Sequence, residues 1–217
     1  GRILAARHSL QGGAWSQVQV SPEVNSDWCI HEHPQMRSDG AGRLHIAWSG
    51  CALRNPPDEW PHDSFIFYAR SDDGGTSFGR PVRVAATIAT GDDAHHNDTS
   101  SRPALAINDN GGEVMVLYPG RNEGVWTFYA TLIEGGAATA VQRMGESIDS
   151  WAPPGEYGGR WYGGDSAGAL SYDSARQRFI ALFPDRRNQR TPVLYAATYG
   201  GSNVVLDERL FLPAVRR

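Results

Sequence analysis

Apolar residues in this chain fall in short runs such as Ile66-Phe67-Tyr68-Ala69 and Val114-Met115-Val116-Leu117-Tyr118, each closed by a cluster of Gly, Asn, Asp or Pro. No amphipathic helical spacing is sustained. Segments rich in Val, Ile, Tyr, Phe and Trp between turn residues predict strands, and the 25 Gly and 13 Pro supply the breaks between them. The pattern predicts an all-β fold.

The strands recur. Ile3-Leu4-Ala5-Ala6-Arg7, Ile66-Phe67-Tyr68-Ala69-Arg70, Thr127-Phe128-Tyr129-Ala130-Thr131 and Leu194-Tyr195-Ala196-Ala197-Thr198 are four copies of one strand, at intervals of 63, 61 and 67 residues. A second pair, Pro103 to Asn108 then Val114 to Pro119, returns as Gly168 to Asp173 then Phe179 to Pro184 at a constant offset of 65. An earlier copy, Pro34 to Arg37 then Leu44 to Trp48, follows with one residue of slippage. Each unit reads as a four-stranded antiparallel meander, and repetition at a fixed interval is the mark of a repeat architecture.

Between the third and fourth strands of one unit stands Ser71-Asp72-Asp73-Gly74-Gly75-Thr76-Ser77-Phe78. This octapeptide resembles the Asp box of the bacterial neuraminidase repeat, a hairpin of sialidase-like β-propellers. Its residue types have physical reasons. Asp73 can accept main-chain N–H bonds across the turn, Gly75 supplies a backbone shape closed to other residues, and Phe78 tucks beneath the sheet. A worn copy, His8 to Trp15, has Leu10 where the Asp belongs but keeps Gly12 and Trp15. The phrases Gly42 to Trp48, Gly155 to Gly159 and Phe183 to Arg187 are weaker echoes of secreted bacterial members.

The resemblance implies a β-propeller of four-stranded blades. About three and a half are present: a half blade over 1–20 and blades over 29–85, 99–145 and 165–212, in a single partial domain spanning 1–217. The ring implied is six- or seven-bladed, completed by further polypeptide or another subunit.

Charge narrows the partner. Twenty basic against 24 acidic residues give a net charge of −4, with no dense basic run to neutralise phosphates, which argues against nucleic acid. No apolar run is long enough for a transmembrane segment. Every basic residue is Arg, a side chain suited to flat, bidentate partners such as carboxylate and sulfate. Cys29, just before a first strand, and Cys51, just after the second, would meet at one sheet edge, compatible with a disulfide or with two buried thiols.

In such a propeller the loops opposite the Asp boxes form the ligand face. For that face the resemblance to sialidases implies Arg102, Arg121 and Arg186 as a carboxylate clamp, Glu156 with Tyr157 or Tyr162 as an activated nucleophile, and Asp98 as acid/base. The Arg-Ile-Pro phrase of sialidases is missing, and Ser101-Arg102-Pro103 echoes it only in part. A polysaccharide lyase acting on uronates would instead use His95 or His96, Tyr162 and Arg160. The third expectation, ranked first, is a non-catalytic recognition or assembly module that binds a glycan or protein through His95, His96, Arg160, Trp161, Tyr162 and Asp165, because aromatic faces in loops suit sugar rings. No cofactor is expected, with His31, His33, His95 and His96 as the one group able to converge on a divalent metal. The placement implied is extracellular, at a bacterial surface or in the periplasm.

Overall fold

A computed structural model describes residues 2–23, 31–53, 62–84, 102–122, 125–145, 167–185, 193–200 and 203–205. Among them are fourteen strands in four sheets. A hairpin, β1 (Leu4–Arg7) with β2 (Ser16–Gln19), comes first. The second sheet holds β3 (Glu32–Ser38), β4 (Leu44–Leu53), β5 (His62–Ser71) and β6 (Val82–Arg83). The third holds β7 (Ala104–Ile107), β8 (Glu113–Asn122), β9 (Val125–Glu134) and β10 (Ala137–Arg143). In the fourth are β11 (Ala169–Asp173), β12 (Arg178–Asp185), β13 (Val193–Gly200) and β14 (Asn203–Val205). Every sheet is an antiparallel meander in chain order.

Strand composition explains how the sheets stack. In β8, Val114, Val116 and Tyr118 face back toward the second sheet, where they meet Ala47, Ile66 and Tyr68. The alternate residues Met115 and Leu117 face forward and meet Phe179, Ala181 and Phe183 of the fourth sheet. A strand buried on both faces must be apolar at nearly every position, which is why the sequence shows continuous runs rather than clean alternation. A third layer packs Ile3, Ala5 and Val20 of the hairpin region against Ile46, Trp48, Phe65 and Phe67.

First strands lie side by side, β7 against both β3 and β11, and Arg102 forms an isolated parallel bridge to Ala167 just ahead of β7 and β11. Sheets stacked face to face about adjacent first strands make a β-propeller arc. The hairpin occupies the outer half of its blade. After β2, the Val20 N–H donates to the Ile3 carbonyl at 2.9 Å, just as Val84 after β6 donates to Ile66 at 2.8 Å. Thus β1 corresponds to β5 and β2 to β6.

Candidate functional site

The meander divides its connections between two ends. At one end lie the turns joining first to second and third to fourth strands. The β4–β5, β8–β9 and β12–β13 connections lie at the other, together with the links between sheets, and this is the expected ligand face. There Arg102 is exposed while Pro103 behind it is buried. Its bridge to Ala167 depends on the close approach of Gly168, where an added Cβ would stand 2.5 Å from Leu117 Cδ2 and 3.1 Å from the Leu182 carbonyl. The glycine lets the two first strands converge at the rim.

Arg121 lies within β8, paired in register with Trp126 of β9, so the ladder runs on past Pro119, where the repeated segment read from the sequence ends. Cys51 likewise sits inside β4, opposite Ser64, rather than after the strand, and is buried. Asp185, at the end of β12, is fully buried. Asp98, His95, His96, Glu156, Tyr157, Arg160, Trp161, Tyr162, Asp165, Arg186 and Cys29 lie outside the described residues.

Behind the rim sits His31, buried immediately before β3. The Trp48 indole Nε1–H donates to His31 Nδ1 at 3.0 Å. Indole nitrogen only donates, so Nδ1 holds a lone pair and Nε2 carries the proton. Burial lowers the pKa to about 4, and the ring is neutral. In this tautomer Nε2 has no lone pair for a cation, so with Nδ1 engaged by Trp48 the ring is a poor member of the expected histidine cluster. His33 adopts a left-handed backbone (φ 52°) at the β-bulge between Glu32 and Gln35, with Nε2 3.7 Å from Glu32 Oε1. Among the described residues no group of three or more His, Cys, Asp or Glu is placed to hold a metal.

The opposite end carries the Asp box. Asp73 Oδ1 accepts from the Ser77 main-chain N–H at 2.9 Å and from the Ser71 hydroxyl at 2.8 Å, and Oδ2 accepts from the Ser77 hydroxyl at 2.7 Å. Ser71 Oγ in turn accepts from Gly75 N–H at 2.8 Å. These donors, Ser77 first, hold the Asp73 carboxyl well below the usual range. Gly75 has φ 84° and faces Leu44, and Phe78 packs against the layer beneath. In the worn copy Leu10 is fully exposed, and Trp15 stays largely in solvent beside His8, ring centroids 5.1 Å apart.

Sequence reasoning missed a polar network at this same end. In the turn before β4, Asp39 Oδ1 accepts from Ala41 and Arg43 N–H, both at 2.9 Å, and Oδ2 accepts from Arg43 Nε at 2.5 Å. His45 Nε2 lies 3.3 Å from Asp39 Oδ2, and its Nδ1 is 2.7 Å from the Tyr68 hydroxyl. The donors follow: Tyr68 O–H gives to His45 Nδ1, and His45 Nε2–H gives to Asp39. No part of the Asp39 side chain touches solvent, though its cover is thin. Burial alone would raise its carboxyl, but Arg43, His45 and Ala41 together hold it at about 2. Burial keeps His45 below its ordinary pKa against the pull of Asp39, and pushes Tyr68 up to about 12. Its signal was Asp39-Gly40-Ala41-Gly42-Arg43-Leu44-His45, a turn followed by an alternate-position His on the packed face.

Adjacent turns are stitched together. Arg43 reaches the Asn110 carbonyl of the third sheet at 3.0 Å, the Ser174 hydroxyl of the fourth donates to Asp109 at 2.6 Å, and Arg7 of the hairpin donates to Thr76 Oγ1 in the Asp box.

No family model and no curated protein sequence matches the chain. Solved structures with a similar fold include an α-L-arabinanase from Penicillium chrysogenum complexed with arabinobiose, at 13% identity and TM-score 0.47 over 90% of this chain. Others are the Hadza microbial sialidase Hz136, at 13% identity and TM-score 0.49 over 82% of the chain, and Zg3597, a family 117 glycoside hydrolase of Zobellia galactanivorans, at 12% identity and TM-score 0.43 over 98%. The chain spans 51%, 37% and 62% of those proteins respectively. Identities this low carry no activity across.

Proposed function

We propose that the chain is part of an extracellular propeller that recognises carboxylate- or sulfate-bearing groups on a glycan or protein partner, without turnover. The observation that carries this reading is Arg102: an exposed guanidinium at the meeting point of two first strands, backed by packed sheets. A planar fork on a rigid support favours bidentate oxygen ligands, and ordering it costs less than ordering a loop arginine. The loop residues His95, His96, Arg160, Trp161, Tyr162 and Asp165 would complete the contact surface, with Trp161 and Tyr162 stacking on sugar rings. Placement outside the cell would go with a Cys29–Cys51 disulfide. Consistent with that pairing, no described cysteine is free.

The test is a binding screen with acidic and neutral oligosaccharides, run beside assays for released sugar and for unsaturated uronate. Arg102→Ala is expected to weaken binding of an acidic ligand about ten-fold or more, on the scale of one charge-assisted hydrogen bond. Arg160→Ala or Tyr162→Ala should weaken it as well. Released sugar with a sialidase substrate would favour hydrolysis instead, and unsaturated product would favour the lyase. Unfolded protein that takes up no thiol label before reduction and two labels per chain after it, one for each of its two cysteines, would establish the disulfide.

A further inference from the structure

His33, Arg102 and Ala167 hold one place in successive sheets. Gln35 pairs with Ala47 across the first two strands of the second sheet, as Ala104 pairs with Leu117 in the third and Ala169 with Leu182 in the fourth. Two residues before Gln35, Ala104 and Ala169 stand His33, Arg102 and Ala167. Arg102 and Ala167 are joined in a parallel bridge, and β3 lies beside β7 as β7 lies beside β11. His33 is therefore the neighbour of Arg102 on the side away from Ala167, at the same level of the rim.

The backbone at His33 does not suit the residue it carries. Its φ of 52° lies in the left-handed region that glycine alone enters freely, and the proline that follows, Pro34, narrows the choice further toward extended backbone. The strain comes with the bulge: between the Glu32–Ser49 and Gln35–Ala47 pairs, His33 and Pro34 together oppose Trp48 alone. A bulge re-aims the side chain it carries, and strained non-glycine residues gather where side chains are used. Glycine or asparagine would make the same bend more easily, so the bend does not explain the imidazole. Nor do its contacts. The ring is partly exposed, Glu32 Oε1 at 3.7 Å from Nε2 lies beyond hydrogen-bond reach, and among the described residues the ring makes no hydrogen bond.

We infer that His33 is a second anchoring residue of the Arg102 site, donating a ring N–H to the same carboxylate or sulfate group that the guanidinium holds. An imidazole carries an N–H in either tautomer, so the contact needs no special protonation state. Arg102 supplies the planar fork and His33 a single donor from the adjacent strand, so the pair fixes the orientation of the acid group as well as its charge. The inference rests on the reading of Arg102 as an anion contact. Other occupants fit less well: a neutral sugar would satisfy His33 but leave the guanidinium without a counter-charge, and a metal ion on the imidazole would be repelled by Arg102 beside it.

Histidine ring NMR tests it with two probes, glucuronate for the carboxylate and inorganic sulfate for the sulfate. The His33 ring signals, identified as those missing from His33→Gly, should shift with one probe or both, and Arg102→Ala should raise the concentration needed at least about ten-fold. His8, directly after β1 at the opposite end of the sheets, is the control for nonspecific anion binding. His33→Gly removes ring and strain together. Read at the Arg102 Nε–H signal, it should weaken binding about five-fold, and the melting temperature should hold or rise. Shifts at His33 no larger than those at His8 overturn the inference. A His33→Gly protein that melts lower yet binds as before also overturns it, by making the bend structural, and so do His33 shifts that a chelator abolishes, by making the residue a metal ligand. His33 signals that stay still while Arg102-dependent binding goes on sink the inference alone, whereas binding of neither probe at Arg102 sinks the reading of that site and the inference with it.

Discussion

Ser174 and Asp109 stand 65 positions apart, the same interval that separates the repeated strands, and their side chains are hydrogen-bonded at 2.6 Å between the fourth sheet and the third. The repeat in sequence thus becomes a stitch between neighbouring turns. A parallel stitch, Arg43 to the Asn110 carbonyl, differs in what lies behind it, because Arg43 also holds the dry carboxylate of Asp39.

That difference sets an order of effects. Ser174→Ala, at an exposed site, should cost no more than about 0.5 kcal/mol. Arg43→Ala removes the main counter-charge of a solvent-free carboxylate and should cost about 1–3 kcal/mol. Urea titration of the two variants checks the order, and equal midpoints would contradict the role given to Arg43.

Acid should destabilise the protein in two steps. His31 is held at about 4 against an ordinary 6.5, so the unfolded chain takes up a proton that the folded chain refuses, and stability drops as pH falls from 6.5 toward 4. Asp39 is held at about 2 against 3.8, so its contribution is whole above pH 3.8 and disappears as pH falls through about 2. Thermal melts across this range should show the upper slope reduced in His31→Gln and the lower one reduced in Asp39→Asn.

Gly168→Ala places a methyl against Leu117 and the main chain of Leu182. Because a backbone atom cannot swing aside, the cost should be about 1–3 kcal/mol, with the Arg102–Ala167 bridge disturbed. Binding at Arg102 should then weaken although no contact residue has changed. A melt paired with a binding titration measures both effects.

The two Asp-box turns offer a gain as well as a loss. Asp73→Ala should lower the melting temperature by unpairing Ser71 and the Ser77 N–H. Conversely, His8→Ser, Leu10→Asp and Ala14→Ser together restore the missing acceptor and hydroxyls in the worn copy. That triple variant should raise the melting temperature and shift Trp15 fluorescence to the blue as the ring leaves solvent.

Repetition made the architecture legible. Strand order, the meander and the Asp73 turn could all be read because each depends on residues close in sequence or recurring at one interval. The Asp39–His45–Tyr68 network was not legible, since Tyr68 joins it only when β4 and β5 lie side by side. Nor was the Arg102–Ala167 meeting, which depends on how two sheets stack, or the bulge at His33, which no turn residue announces. The ligand face was read by topology alone. Of its expected clamp, Arg102 stands at the rim and Arg121 within a ladder, while the remaining candidates occupy segments outside the described residues.

The packing of the second and third sheets on both of their faces has a consequence for how this molecule comes apart. A blade cut out alone would carry two greasy surfaces into water, so no single blade is a folding unit. Stability should instead propagate from neighbour to neighbour, as in a stacked array with nearest-neighbour coupling. Loosening one interface would then lower the resistance of the next, and useful excision points for engineering would fall at whole-arc boundaries with a polar cap added at each end.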